Sequence, residues 1–273
     1  DGNTKGGDSD TITLSPTGAP GLYRAAVSVT LADAVAGDDV LQPLLRARPR
    51  LGADVLRLDA GLPPFTTLCC DNLPRNGALL RGAVLDFARR AYPAHANRIA
   101  SNAAFPSTMV DRITPQTAQA DRVFLEQEYR LIDRWPVVAE TFIQWVIEDD
   151  FCAGRPDWDK VGAVFSGRVH DYETMKIRIL NAGHQVLANA GEVLSVETIS
   201  GCMSHPVIGR FFRKVEREEI APYVAPVPGM DPESYVDLIA RRFSNPEIVD
   251  TTRRVAFDGS SRHTGFLLPI VKD

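Results

Sequence analysis

From Tyr172 to Leu194 the sequence reads YETMKIRILNAGHQVLANAGEVL, an apolar stretch with helical spacing that nevertheless carries Lys176, Asn181 and His184. The bland reading of three such polar groups on so apolar a stretch is a solvated face; the sharp reading is an active site. On a regular helix the three side chains fall near about 0°, 140° and 80°, a broad side rather than a narrow stripe. Glu173 lies one turn before Lys176 and is its surface neighbour. Spacing alone favours a solvated face bearing a Glu–Lys pair. Asn-Ala-Gly, at 181–183, is poor helix material and argues against that reading.

Three other segments carry polar groups in suggestive places. In CDNLPRNG, Asn72 stands where an apolar run ends, and ligands of open α/β sheets lie at the C-terminal ends of strands. The same segment is rich in turn formers, and Asn76 is a ready cap for a following helix. In FPSTMVDRITP, Asp111 and Arg112 read as a surface ion pair. The acidic trio of QWVIEDDFCAGRP reads as a solvated strand end.

The elements that must position these groups follow from periodicity. FTTLCCDN has the apolar, Thr and Cys content of a buried strand in a parallel sheet. NGALLRGAVLDFARRAY follows with helical spacing, and strand followed by helix is the α/β signature. Further strands are expected at FPSTMVDRITP, at Thr141–Ile147 and within GRPDWDKVGAVF. Beyond about Asp171 the pattern becomes helical, at Tyr172–Leu194, His205–Ile220 and Asp231–Phe243. The expected fold is α/β: a partial Rossmann-like parallel-sheet domain over residues 1–170, then a mostly helical, truncated C-terminal substrate and catalytic domain over 171–273. Residues 1–20 read as a loop or frayed end, and 21–62 as helix-like spacing interrupted by Pro43 and Pro49.

Composition bounds the partners. With 273 residues the chain can bury one large core or two moderate ones. A net charge of −5 gives no electrostatic case for nucleic acid. There is no run of apolar residues long enough for a membrane span and no signal-peptide pattern. The cysteines, Cys69, Cys70, Cys152 and Cys202, include no CxxC pair and read as small buried residues in a reducing compartment. The histidines are scattered, and no metal site is expected. A cytoplasmic location is expected.

CDNLPRNG, FPSTMVDRITP, FIQWVIEDDFCAGRPDWDKVG, YETMKIRILNAGH, RRFSNP and DGSSR occur in that order. Together they resemble the polyol-specific long-chain dehydrogenases, the family of the mannitol 2-dehydrogenases and hexuronate reductases. The likeness covers about Pro63 to Lys272. It implies an N-terminal dinucleotide-binding domain, a helical C-terminal domain, a nicotinamide cofactor (NAD, with NADP left open) and oxidation of a secondary alcohol without a metal. It also implies residue roles. Lys176 matches the family's general base in Lys-x-x-x-x-Asn-x-x-His, with Asn72 and Asn181 as alkoxide donors and His184 as a substrate contact. Val110 and Asp111 match positions beside the nicotinamide and the substrate. Arg254 matches a substrate-contacting arginine, and Glu173 a carboxylate that moves the proton to solvent.

The sequence also departs from the family. GNTKGG does not match the G-x-G-x-x-G turn that holds a pyrophosphate and follows no strand. The ending GFLLPIVKD stands where family members continue with more helices. A truncated or mis-framed copy of a longer gene would give this pattern. The expected substrate is a neutral polyol such as mannitol, interconverted with a ketose. The alternatives are a hexuronate such as fructuronate, and a non-catalytic partial chain that associates with another subunit.

Overall fold

A computed structural model describes residues 14–16, 23–25 and 55–272 of the chain. The chain forms two compact units, Asp1–Gln42 and Pro43–Asp273. In the first, β1 (Leu14–Pro16) pairs antiparallel with β2 (Tyr23–Ala25), with Leu14 opposite Ala25. A strand thus stands inside the stretch expected to be a loop. The rest of residues 1–54, including GNTKGG and the Pro-interrupted pattern, lies outside the described residues.

The second unit begins with a helical turn at 55–59 and α1 (Asn76–Ala91). Then come α2 (Pro93–Asn102), β3 (Thr108–Asp111), α3 (Gln119–Tyr129), β4 (Gln144–Ile147) and β5 (Val164–Phe165). The sheet is mixed: β3 runs antiparallel to β4, with Asp111 opposite Gln144, and β4 runs parallel to β5. FTTLCCDN is a correction to the sequence reading, because residues 62–70 form no strand and join no ladder. The carbonyl of Cys69, which a neighbouring strand would engage, instead accepts the Thr108 hydroxyl and the Asn76 amide. Side chains have taken the place of a strand partner there.

One helical rod follows the sheet: α4 (Val169–Met175), a π-helical segment Lys176–Asn181 and α5 (Ala182–Leu194). Next come α6 (Ile199–Ser204), α7 (Ile208–Val215), a second π-helical segment Glu216–Ile220, and α8 (Pro232–Phe243). The chain closes with α9 (Thr252–Ala256), α10 (Gly259–Phe266) and α11 (Leu268–Lys272). Local chemistry sets several boundaries. The Asp231 carboxylate accepts the Ser234 amide at 2.9 Å, with Pro232 at the first helical position, so α8 starts there. Thr198 and Thr251 cap α6 and α9 in the same way.

Two apolar cores hold the larger unit. Val55, Leu58, Leu80, Val84, Ile99 and Phe105 pack α1 and α2 over the 55–59 turn. The larger core joins Met109, Ile113 and Val146 of the sheet region to Tyr172, Ile179, Leu187, Phe212 and Ile239 of the helices. The sheet and the Lys176 rod therefore share one core. The cysteines correct a second expectation. None is in a disulfide, but only Cys202 is buried; Cys69 and Cys152 are half-buried and Cys70 is exposed.

Candidate active site

Lys176 opens the first π-helical segment and is nearly buried, at 6 % exposure. Its Nζ donates to Oδ1 of Asn72, which arrives from the loop before α1. Burial lowers the Lys176 pKa, and Arg242 pushes the same way, while the carboxylates of Asp111 and Glu173 oppose it. Lys176, Asn72, Glu173 and Val110 line one small pocket with Thr108 and Met109. Its volume of about 10 Å³ is room for about one water.

The π-helical winding answers the objection raised by Asn-Ala-Gly. Its hydrogen bonds repeat over five residues rather than four, so residues five apart lie closer around the axis than on a regular helix. Lys176 and Asn181 have that spacing. The wheel angles expected for a regular helix therefore do not hold here. The Oδ1 atom of Asn181 is buried and has no hydrogen-bond partner. His184, one turn further along, stacks on Phe243 with ring centroids 4.1 Å apart. Burial pushes its pKa down to about 4, with Asp250 opposing and Arg254 assisting, so the imidazole is neutral near pH 7.

Asn72 is held in place indirectly. Asn76 does not cap α1, contrary to the sequence reading; the residue before the helix is Arg75, in the left-handed region at φ 53°. The buried Asn76 amide donates to the carbonyls of Cys69, Asp71 and Thr108 at 3.1, 3.0 and 2.8 Å, and its oxygen accepts the Thr108 amide at 2.9 Å. This ties the loop bearing Asn72 to the first residue of β3. Glu173 ties it to the rod. Its carboxylate accepts the Arg75 backbone amide at 3.1 and 3.3 Å, placing negative charge at the positive end of α1.

Asp111 and Arg112 are not a surface pair. Asp111 is buried, and its carboxylate takes two nitrogens of Arg242, at 2.8 and 2.7 Å, and the Tyr235 hydroxyl at 3.1 Å. Arg112 turns away and donates to the carbonyl of Glu140 at 2.9 Å. The Glu140 carboxylate receives Arg242 as well, at 2.6 Å, and the Arg242 guanidinium lies 4.1 Å from the Phe142 ring centroid. Arg254 is bound through two nitrogens to the buried carboxylate of Asp250. The structure thus gathers Asn72, Val110, Glu173 and Lys176 at one pocket. Asp111 lies next to Val110 in a separate ion cluster, and Asn181, His184 and Arg254 lie outside the pocket lining.

Sequence reasoning missed Arg242, Glu140, Tyr235 and Glu216. Two of these left a signal. Arg242 falls at helical spacing from Tyr235 and Ile239, on the buried face of α8. Glu216 continues the stripe of Ile208, Phe212 and Ile220, all buried. A charge on an apolar stripe is the mark of a buried ionisable group. Among the described residues there is no group of three or more His, Cys, Asp or Glu that could hold a metal, and no helix long and apolar enough to cross a membrane.

Comparisons with known proteins bear on this geometry. Residues 45–160 match the family model of the mannitol dehydrogenase Rossmann domain, and residues 168–273 that of the mannitol dehydrogenase C-terminal domain. The chain is 49 % identical over 217 residues to a mannitol 2-dehydrogenase of Cereibacter sphaeroides, covering 80 % of this chain and 45 % of that protein. It is 40 % identical over 220 residues to a mannitol 2-dehydrogenase of Aspergillus terreus, covering 80 % of this chain and 44 % of that one. Among solved structures, it superposes on the Pseudomonas fluorescens mannitol 2-dehydrogenase ternary complex with NAD and D-mannitol with a TM-score of 0.76 and 39 % identity, over 85 % of this chain and 49 % of that one. A substrate-free D-sorbitol dehydrogenase also matches with a TM-score of 0.76, at 36 % identity over the same shares. The chain spans about half the length of the relatives it matches.

Proposed function

Because this chain belongs to the mannitol dehydrogenase family, the polyol-specific long-chain dehydrogenases, we propose that it carries the base and alkoxide site of an NAD-dependent polyol 2-dehydrogenase. The observation that carries this reading is the buried Lys176, its pKa lowered, bonded to Asn72 from a distant part of the chain. A neutral amine keeps hydrogens to donate to Asn72 and has a lone pair left to take the hydroxyl proton. Because Oδ1 of Asn72 receives the lysine, the amide nitrogen of Asn72 is the atom turned toward the alkoxide. We assign the second donor of this pair to the amide nitrogen of Asn181, five residues along the rod from Lys176. His184, neutral and stacked, offers a ring nitrogen to a further hydroxyl. The division near residue 170 puts Asn72 and Lys176 on different sides of the domain boundary, and the Lys176–Asn72 bond joins the two.

The residue that would face the reacting end of a nicotinamide dinucleotide is Val110, half-buried in β3, which gives an apolar wall beside Lys176. The glycine-rich turn for a pyrophosphate is not among the described residues. When bound, NAD would accept the hydride from the carbinol carbon. A neutral polyol suits the site better than a hexuronate, because Arg242 and Arg254 are both already engaged by carboxylates. The four cysteines outside disulfides support a reducing, cytoplasmic setting.

The test is NAD reduction by mannitol, followed by absorbance. Lys176→Met is expected to slow turnover by about 100-fold or more, the usual worth of a positioned base. Absent turnover in the unsubstituted chain, with no NAD binding by calorimetry, would overturn the reading. It would favour instead a non-catalytic partial chain that associates with another subunit, for which exposed Ile132, Trp135 and Val137 provide an apolar surface.

A further inference from the structure

A proton taken up by Lys176 must leave a nearly buried position. Glu173 lines the same pocket, and one water in that space would join the two side chains. Glu173 is itself covered, with its side chain only 10 % exposed. His170 lies one turn earlier on α4, so both side chains share a face of the rod. Its Nδ1 is 2.9 Å from Oε2 of Glu173, and its side chain is 55 % exposed. The three groups therefore descend from a buried amine, through a covered carboxylate, to a ring in contact with water.

On the dehydrogenase reading above, we propose that His170 is the relay residue through which Glu173 hands the substrate's hydroxyl proton to bulk solvent. The transfers balance in protons, and no electrons move along the path. The hydroxyl proton goes to Nζ of Lys176, then by way of the pocket water to Glu173. Glu173 passes it to Nδ1 of the His170 ring in the tautomer that carries its hydrogen on Nε2. The imidazolium so formed releases the Nε2 proton to water, and proton exchange with solvent at the exposed ring restores that tautomer for the next turnover. The Arg75 backbone amide, bonded to both Glu173 oxygens, fixes the carboxylate between pocket and ring. The other charges near the ring on its own element, Arg168 and Asp171, are paired with each other at 2.7 Å. His170 acts through Glu173 and is not proposed to touch substrate.

The experiment compares the unsubstituted chain with His170→Gln and His170→Ala in mannitol-driven NAD reduction at fixed pH. The measurements are made in dilute buffer and repeated with added imidazole. Glutamine keeps a hydrogen bond to Glu173 but cannot carry a proton, so a purely structural role would survive in it. Both variants are expected to turn over about tenfold more slowly in dilute buffer, and imidazole is expected to restore them. The unsubstituted chain is expected to be indifferent to imidazole. Variants as fast as the unsubstituted chain in dilute buffer, or slow and unmoved by imidazole, overturn the relay while leaving the dehydrogenase reading intact. An unsubstituted chain that reduces no NAD overturns both.

Discussion

Arg242 and Asp111 form a bidentate ion pair, 2.8 and 2.7 Å, with both side chains nearly excluded from water. The same guanidinium serves Glu140, so one cation bridges two buried carboxylates and joins α8 to the end of β3 and to the segment before β4. Burial works against the Arg242 charge, but the two carboxylates outweigh it and hold its pKa well above the usual guanidinium value. Removing one partner of such a cluster leaves uncompensated charge in a poorly polar setting. Arg242→Met is expected to cost about 3–5 kcal/mol in urea unfolding. A triple change, Arg242→Met with Asp111→Asn and Glu140→Gln, is expected to recover part of that loss. Equal stability of the single variant and the parent would show the cluster to be solvated.

Lys176 gives a pH signature independent of any substrate. Its pKa is lowered in the fold, chiefly by burial, so between that value and the ordinary lysine value of 10.5 the unfolded chain holds more protons than the folded one. Stability from this group therefore rises with pH through that window. Lys176→Met removes the titration. The melting temperature of the parent minus that of the variant is expected to increase with pH toward 10.5. A flat difference would mean that Lys176 is solvated.

Glu216 has the opposite sign. Its side chain is fully buried, neither oxygen has a hydrogen-bond partner, and burial raises its pKa well above the ordinary 4.5. The folded chain then holds the extra proton, and stability from this group falls as pH rises from about 4.5 through the folded value. Glu216→Gln keeps the shape and has no proton to bind. It is expected to raise the melting temperature near pH 7 and to change it little at pH 4. A lower melting temperature at pH 7 would show that the glutamate is ionised and paired.

Much of this arrangement was written in helical spacing. The stretch from Asn76, the Lys176 rod and α8 all form where periodicity put helices, and β3, β4 and β5 fall within the segments marked for strands. FTTLCCDN failed for a reason periodicity does not contain. Its composition suits a strand, but the Cys69 carbonyl is taken by Thr108 and Asn76 side chains, the latter assigned to a cap. The site was legible in part. Residue type and the ordered motifs drew attention to Lys176, Asn72 and Glu173, whereas the π-helical winding between Lys176 and Asn181 has no signature in the spacing of apolar residues. The partner of Asp111 was hidden by its distance in sequence: adjacent Arg112 was the obvious candidate, and Arg242 the actual one.

Gly77 controls the position of Asn72 without touching it. A Cβ on Gly77 would lie 2.3 Å from the Phe105 carbonyl oxygen and 2.7 Å from the Ser107 nitrogen, both backbone atoms. Backbone there cannot yield as a side chain can, since Thr108 next along is bound to Asn76 at 2.9 Å. Gly77→Ala must therefore push the start of α1 away from β3, and the loop that Asn76 pins moves with it. By contrast, a Cβ on Gly183 would meet side-chain rather than backbone atoms, the ends of Glu216 and Phe212, at 2.6 and 2.9 Å. Overpacking typically costs about 1–3 kcal/mol, and Gly77→Ala is expected at or beyond the top of that range, with Gly183→Ala lower. Urea unfolding of the two variants measures the difference. Gly77→Ala is also expected to weaken the Lys176–Asn72 bond and so flatten the pH dependence of stability that Lys176 provides. An unchanged slope would show that the loop keeps its place without the close approach at Gly77.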